Sequence, residues 1–373
     1  MKKFAKMSLV AAIAVAGTTA CAQPLVEAIK NVDVSGTAAY RYNDYELSEA
    51  SNNYKVAVSL KSKITDDVTF NSRVIAGSDT ANVSLGTSSN GDSGVDVVLS
   101  EANFAYTGLA NTSVTIGKQA LNTKFSLPRD GMGNEQTGTG ILAVSTFGPA
   151  TVYGAYFNQT NLQNSDNAVS GLTTGAEDVV VVGLDASFGM INVDASYIDV
   201  DNVFDAYTIG LGASYNVSSV ALSSFARYTA LDLENSDADN KLWKVGIAAN
   251  MGIFGAHVSY GETDEEGGVV STDYSAGTGF DEHWRVTLSD ISDASTLYAG
   301  IDAQVTEKIK VALNYSDLDA GDMSNAQDQS EIFGQVTYNH AKNLMTFVRF
   351  GQLDADRNDE KETMGRVHVQ YSF

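Results

Sequence analysis

The sequence predicts an all-β fold, a closed antiparallel transmembrane β-barrel with short periplasmic turns and long outer loops. Three observations predict it. Apolar residues recur with period two in segments of roughly ten residues, the connectors between segments alternate in length, and the chain ends on an aromatic residue. No segment after the first 22 residues approaches the roughly 18 to 20 consecutive apolar residues that a membrane-spanning helix requires.

The period-two pattern is clear in individual segments. Between Ile309 and Ser316, apolar side chains occupy the odd positions, whereas Lys310 and Asn314 occupy even ones. A strand of about ten residues is roughly 33 Å long, and a tilt of about 45° fits it to the apolar layer of the outer membrane. Each such segment therefore predicts one strand with a lipid face and a water face.

The connectors alternate between two lengths. Gly148-Pro149 and Gly189-Met190 predict tight turns, and Ser78 to Ser93 and Asn158 to Ala176 predict long polar loops. Short turns on one side and long loops on the other are typical of outer-membrane barrels. A soluble β-sandwich also alternates faces, but it gives no reason for such regular sidedness.

The strand count follows from the position of the chain ends. The segments give about 19 candidates, but an even number is needed if both ends lie on the short-turn side. The brief segment Trp284 to Leu288 is the weakest candidate, so we assign Glu262 to Asp293 to one long outer loop. About 18 strands remain, with about 16 as the fallback, and a barrel of this width leaves an aqueous channel.

Residues 1–22 predict a secretory signal peptide, and residues 23–373 predict the barrel. Three lysines precede an apolar stretch from Met7 to Gly17, and small residues precede a cleavage site before Gln23. Cys21, the one cysteine, then leaves with the signal peptide, which excludes disulfide and thiolate chemistry. An alternative makes Cys21 a lipoprotein acylation site, but Thr18 stands where an aliphatic residue is usual.

The chain is strongly acidic, with a formal net charge of -23. This charge excludes nucleic acid as a partner. Acidic loops stay soluble and attract cations to a channel entrance.

The final segment resembles the C-terminal assembly signal of outer-membrane proteins. Val367, Val369, Tyr371 and Phe373 fall on one face of the predicted last strand. The barrel assembly machinery captures such a segment by strand pairing, so Tyr371 and Phe373 are the predicted assembly signal.

Two further blocks resemble the Campylobacter-type major outer membrane porin family. The first runs from Pro24 to Gly36 and continues to Tyr42, and the second runs from Gly117 to Asn122 and continues to Gly140. The resemblance implies a general porin, a homotrimer of 18-stranded barrels in the bacterial outer membrane, whose third loop folds inward and narrows the channel.

Residues 119–138 are the segment in which we expect this inward constriction loop. It contains Lys124, Arg129, Asp130 and Glu135, a mixture of signs suited to a charged wall. The alternation also places a set of charged residues on the water face as a predicted pore wall. They are Arg41, Lys55, Lys61, Arg73, Glu101, Asp185, Asp194, Arg227, Lys244, Asp302, Lys310, Glu331, Arg349 and Arg366.

We expect a cationic wall opposite an acidic loop to create a transverse field that sorts ions by sign. The competing interpretation is that these residues only hydrate the lumen and pair with one another. The predicted function is passive diffusion of ions and small hydrophilic solutes, with a weak preference for cations.

No cofactor is predicted. Acidic loop groups such as Asp264-Glu265-Glu266 lack the spacing of an EF-hand calcium site. They are interpreted first as solvated loop tips, and alternatively as groups that bind calcium and bridge the loops to lipopolysaccharide. The four histidines are scattered along the chain and predict no metal site.

Two other classes of function compete with a diffusion pore. A surface adhesin or structural barrel is compatible with long acidic loops and with a pore. An outer-membrane hydrolase is disfavoured, because the chain has no Gly-x-Ser-x-Gly motif and His283 lies in a predicted loop.

Overall fold

The computed structural model describes residues 32–76, 83–84, 97–165, 167–355 and 361–373. The predicted signal peptide, the block from Pro24 to Lys30, and nearly all of the predicted loop Ser78 to Ser93 lie outside the described residues. Among the residues that are described, no helix is long and apolar enough to cross a membrane.

The described residues form a closed antiparallel barrel of eighteen long strands, as the sequence predicts. Each long strand pairs with the next long strand along the chain, so that β3 pairs with β5, and β1 also pairs with β19 to close the cylinder. A two-residue strand, β4, pairs with β2 beyond the last β3 contact. The strands are β1 (Val32–Tyr45), β2 (Ser51–Lys63), β3 (Val68–Ala76), β4 (Val83–Ser84), β5 (Val97–Leu109), β6 (Thr112–Ala120), β7 (Thr137–Phe147), β8 (Ala150–Thr160), β9 (Val179–Phe188), β10 (Ile191–Val200), β11 (Phe204–Val217), β12 (Val220–Leu233), β13 (Asn240–Met251), β14 (Phe254–Thr263), β15 (Ala294–Gln304), β16 (Ile309–Ala320), β17 (Gln329–Ala341), β18 (Leu344–Ala355) and β19 (Glu362–Ser372).

The connectors alternate in length around the barrel. Residues 110–111, 148–149 and 189–190 are tight turns, whereas 121–136, 161–178 and 264–293 are long loops. Glycines at positive φ, such as Gly148 and Gly189, supply the left-handed backbone of the turns. The segment Trp284 to Leu288 is not a strand, which confirms the strand count.

Period two in the sequence becomes two faces of the wall. In β11, Tyr207, Ile209 and Leu211 are about half exposed on the outside, whereas Thr208 between them is buried on the inside. Because a strand alternates its side chains, the outward row presents apolar surface to lipid.

Three of the loops on the long-loop side, 121–136, 161–178 and 264–293, fold into the lumen and pack there in two apolar clusters. In the first cluster, Leu121 and Phe125 of loop 121–136 and Leu162 of loop 161–178 pack on inward residues of β8 to β12, such as Val181 and Ile198. The inner face is therefore apolar at this level, where the sequence analysis expected polar residues.

The second cluster involves loop 264–293. Phe280, Trp284 and Leu288 of this loop pack against Tyr298 and Phe333 on the inner wall. The sequence predicts an outer loop from Glu262 to Asp293; in the structure the loop begins two residues later, at 264, and ends at 293 as predicted. Its direction is inward, because its apolar side chains find a partner surface only inside the barrel.

Candidate functional site

Loop 121–136 is fixed to the inner wall by a buried ion-pair network centred on Glu135. Arg73 of β3 donates two hydrogen bonds to the Glu135 carboxylate, both at 2.7 Å, and Lys55 of β2 lies 3.0 Å from it. Glu135 has no exposed side-chain surface. Burial alone would raise the pKa of Glu135, but the hydrogen bond from Arg73 and the charge of Lys55 outweigh it and lower the pKa.

The basic residues of the same loop pair with acids of the wall. Lys124 lies 2.6 Å from Asp185 and 3.6 Å from Asp194, and Arg129 pairs with Glu101. Both the loop and the inner wall therefore contribute acidic and basic side chains to the ion pairs between them. The sequence predicts a cationic wall facing an acidic loop across the lumen, whereas in the structure these groups meet directly and neutralise one another.

Asp130 shapes the tip of the loop and has no ion-pair partner among the described residues. Its Oδ1 atom accepts hydrogen bonds from the backbone N–H groups of Met132, at 2.6 Å, and Gly133. Lys55 donates to the backbone carbonyls of Asp130 and Gly133, each at 2.8 Å. The tip is thus held on β2 mainly through its backbone.

The inward loops are also bonded to one another. The side-chain amide of Gln136 donates to the carbonyl of Thr272 at 2.5 Å, and the Thr272 N–H donates to the carbonyl of Phe125 at 2.8 Å. Asn167 donates to the carbonyl of Ser271 at 2.7 Å. Three loops separated in sequence therefore form one plug-like layer against the wall.

Loop 264–293 is anchored by wall residues that the sequence analysis named for the pore. Glu331 of β17 accepts hydrogen bonds from the N–H groups of Trp284, at 3.0 Å, and Arg285, at 2.9 Å. Lys244 of β13 donates to the carbonyl of Gly279. These two charges thus hold the loop.

Three arginines on the inner face have no acidic partner within ion-pair distance among the described residues. Arg41 lies on β1, and Arg349 and Arg366 face each other directly across β18 and β19. Arg349 lies 4.6 Å from the ring of Phe333, and Arg366 lies 5.3 Å from that of Trp284. Stacking on aromatic faces compensates part of the repulsion between like charges.

The remaining predicted wall residues also lie on the inner face. Arg227 contacts Asp194 at 2.8 Å, Lys310 contacts Asp302 at 3.1 Å, and Lys61 lies near the short-turn end of β2. Open cavities remain beside loop 121–136 and beside loop 264–293. One of about 440 Å³ is lined in part by Lys55, Arg129 and Asp130, and another of about 320 Å³ by His257, Glu282 and Arg349.

The structure brings together two histidines that the sequence analysis treated as scattered. The Nε2 atoms of His257, on β14, and His283, in loop 264–293, lie 3.1 Å apart. Sequence spacing gave no signal for this contact, since it requires the loop to turn inward. Across the described part of the chain, no group of three or more His, Asp or Glu residues is placed to hold a metal ion.

Several solved structures share this fold at low sequence identity. OpdK of Pseudomonas aeruginosa, solved with vanillate, has a TM-score of 0.75 at 12% identity, with 92% of this chain and 99% of that chain covered. OccK2 (OpdF) of the same organism has a TM-score of 0.76 at 12% identity, covering 92% and 98%. A BenF-like porin from Pseudomonas fluorescens has a TM-score of 0.74 at 14% identity, covering 92% and 98%. No curated protein matches.

The family comparison covers every residue. The model of the Campylobacter major outer membrane protein family matches residues 1–373. Together with the closed barrel, this match confirms the resemblance, the outer-membrane location and a channel rather than an enzyme. The chain therefore belongs to the Campylobacter major outer membrane protein family and forms an outer-membrane porin channel.

Proposed function

We propose that this porin passes ions and small hydrophilic solutes by passive diffusion with a weak preference for cations. The observation that carries the preference is the excess of acidic over basic residues at the loop tips. Lys124 and Arg129 of loop 121–136 are paired with wall acids, whereas the loop tips on the same side of the barrel carry acids in excess, such as Asp232 to Asp239 and Asp264 to Glu266. Fixed negative charge at an entrance concentrates cations there.

The preference is weak because the wall opposes it. Arg41, Arg349 and Arg366 leave positive charge on the inner face without an acidic partner among the described residues. At physiological ionic strength, charges separated by more than roughly 8 Å are largely screened. The acidic loop tips at the channel entrance and the arginines of the inner wall therefore act separately on a passing ion.

The test is the reversal potential of the purified porin in a planar bilayer under a KCl gradient. We expect a modest cation-selective potential, reduced in the triple variant Asp264→Asn, Glu265→Gln, Glu266→Gln. The matched control is Asp66→Asn, which removes an exposed acid from the turn between β2 and β3. Clear anion selectivity of the unmodified protein would overturn the proposal.

Loop 121–136 is the proposed constriction, with Lys124, Arg129, Asp130 and Glu135 as its charged residues. Its attachment to Lys55 and Arg73 supports this role, because a loop bonded to the inner wall reduces the open cross-section. The same proposal retains calcium only as a bridge between acidic loop tips and lipopolysaccharide.

Export and assembly complete the proposal. Residues 1–22 direct export, and the barrel assembly machinery recognises the last strand through Tyr371 and Phe373. The pairing of β1 with the end of the chain supports the role of the last strand in assembly, since Phe373 and Gly36 exchange backbone hydrogen bonds of 2.8 and 3.0 Å. The assembled porin is a homotrimer in outer-membrane lipid.

A further inference from the structure

The contact between His257 and His283 is made tip to tip inside the barrel. The ring centroids lie 5.4 Å apart and the Nε2 atoms 3.1 Å apart, so the two nitrogens lie between the rings. Gly300 of β15 leaves room for the ring of His257, because a Cβ there would lie 2.2 Å from its Cε1 atom. The wall is therefore shaped to present His257 to the loop.

The hydrogen bonds around the pair determine the tautomer of His283. Ser316 of β16 donates its single hydroxyl hydrogen to the carboxylate of Glu331, at 3.1 Å. The Ser316 oxygen must then accept from Nδ1–H of His283, at 2.6 Å. His283 is left with a lone pair on Nε2, which accepts the Nε2–H of His257. This tautomer of His283 is neutral, and one proton occupies the contact between the two Nε2 atoms.

This contact lies at the centre of a short attached segment, residues 282–285. Glu282 accepts a hydrogen bond from Ser259 of β14, and the N–H groups of Trp284 and Arg285 donate to Glu331. Every residue of the segment thus has a hydrogen bond to the wall, directly or through the histidine pair. Breaking the pair removes the link from His283 to β14 and leaves the hydrogen bond between Glu282 and Ser259 as the segment's other contact with that strand.

We propose that His257 and His283 form a proton-sensitive latch, which holds residues 282–285 on the wall at neutral pH and releases them into the lumen when the pair is protonated. A second proton at the contact would place an N–H group on both Nε2 atoms, so that neither nitrogen could accept a hydrogen bond from the other. Because the released segment carries an imidazolium and occupies open lumen, the pore narrows on release.

The other charged groups around the latch do not remove this conflict. Lys310 of β16 and Arg349 of β18 line the adjoining cavity and disfavour added positive charge. Asp302 of β15 is paired with Lys310. The carboxylates of Glu282 and Glu331 already accept hydrogen bonds from the neighbouring residues. Arg285 extends from the segment toward Glu362, at 3.9 Å, and the Tyr298 hydroxyl donates to the carbonyl of Val286.

The pH window follows from the direction of the shift. Burial, His257 and Arg349 lower the pKa of His283 from 6.5 to about 4 in the latched state. When the segment is released, the pKa of His283 returns to its ordinary value. The latch is therefore fully stable above pH 6.5, and the equilibrium constant that favours the latched over the released segment falls about tenfold per pH unit below it. Asp281, adjacent to the segment, has a pKa raised by burial to about 6 and titrates in the same window.

The first experiment measures single-channel conductance between pH 7 and 4.5 in planar bilayers, with a chelator present to exclude bound metal. We expect the conductance of the unmodified porin to fall by roughly twofold as the segment enters the lumen. His257→Gln and His283→Gln retain polar side chains but cannot titrate, and they should abolish the fall. His340→Gln, which changes an exposed histidine on β17, and Asp281→Asn should keep it.

The second experiment follows the segment itself and does not depend on the histidine variants. The chain has two tryptophans, Trp243 on the lipid face and the buried Trp284 in the latch segment. In a Trp243→Phe background, the emission of Trp284 should shift to the red over the same pH range. A rise in conductance, a fall that both histidine variants keep, or an unchanged Trp284 emission would each overturn the proposal.

Discussion

Glu135 remains ionised in full burial because two cations surround its carboxylate. Arg73 binds both oxygens at 2.7 Å, and Lys55 lies 3.0 Å from one of them. An isolated buried carboxylate would be strongly unfavourable, whereas a bidentate guanidinium contact makes the arrangement stable. The mixture of charges in this loop was visible in the sequence, but its pairing partners were not.

Replacing Glu135 by Gln should loosen loop 121–136. Removal of one partner from a buried ion pair costs about 3 to 5 kcal/mol, because Arg73 and Lys55 are left without their counter-charge. We expect a lower unfolding temperature in detergent and noisier single-channel currents. Asp66→Asn, in an ion pair that is almost fully exposed, serves as control and should leave both measurements unchanged. Equal behaviour of the two variants would contradict the anchoring role.

The pH dependence of this anchor should differ from that of the histidine latch. The pKa of Glu135 is lowered, so its contribution to stability is present above its ordinary value of 4.5 and is lost only as pH falls below it. At pH 5, loop 121–136 should therefore stay on the wall while residues 282–285 are released. Hydrogen exchange of the two loops at pH 5 and 7 measures the difference, and simultaneous release of both would contradict it.

At the scale of elements, the two inward loops use the same wall in different ways. Loop 121–136 combines ion pairs with apolar packing of Leu121 and Phe125, whereas loop 264–293 relies on a larger aromatic contact through Phe280 and Trp284. Each covers inner-face residues that would otherwise expose apolar surface to water. Their positions therefore follow from the hydrophobic effect as much as from charge.

Deletion of residues 130–136 should enlarge the pore. It removes the tip held by Lys55 and the Glu135 anchor but leaves Leu121 and Phe125 in their cluster, so the barrel should still insert. We expect a severalfold rise in single-channel conductance and entry of larger sugars in liposome swelling. Heat resistance on gels confirms correct folding. Unchanged conductance and size exclusion in a folded deletion variant would show that the narrow zone lies elsewhere.

The segment Trp284 to Leu288 shows why one element was assigned correctly but oriented wrongly. Its alternation is real, since Trp284, Val286 and Leu288 are buried while the residues between them are less so. The buried face meets the inner wall and not a neighbouring strand in the sheet. A period-two pattern reports a buried row of side chains, and it does not say which surface buries them.

At the scale of the whole molecule, one low rim supports the proposed trimer. The connector between β10 and β11 has three residues, 201–203, and its Asn202 has a φ of 60°. A tight connector lowers the rim, so neighbouring barrels can approach there. We expect native mass spectrometry in mild detergent to show three chains together. A monomer at every protein concentration would reject the trimer, and a denatured sample supplies the single-chain mass.

The sequence alone determined the closed barrel of eighteen long strands, the two alternating faces of those strands, and many of the charged residues on the inner face. These properties depend on local alternation and on turn residues, which act over a few neighbouring positions. The tertiary structure decided that loop 264–293 folds inward, that Glu135 meets Arg73 and Lys55, and that His257 meets His283. Such contacts depend on which surfaces remain uncovered after the barrel closes. Closure joins residues far apart in the chain, and no local pattern records that proximity.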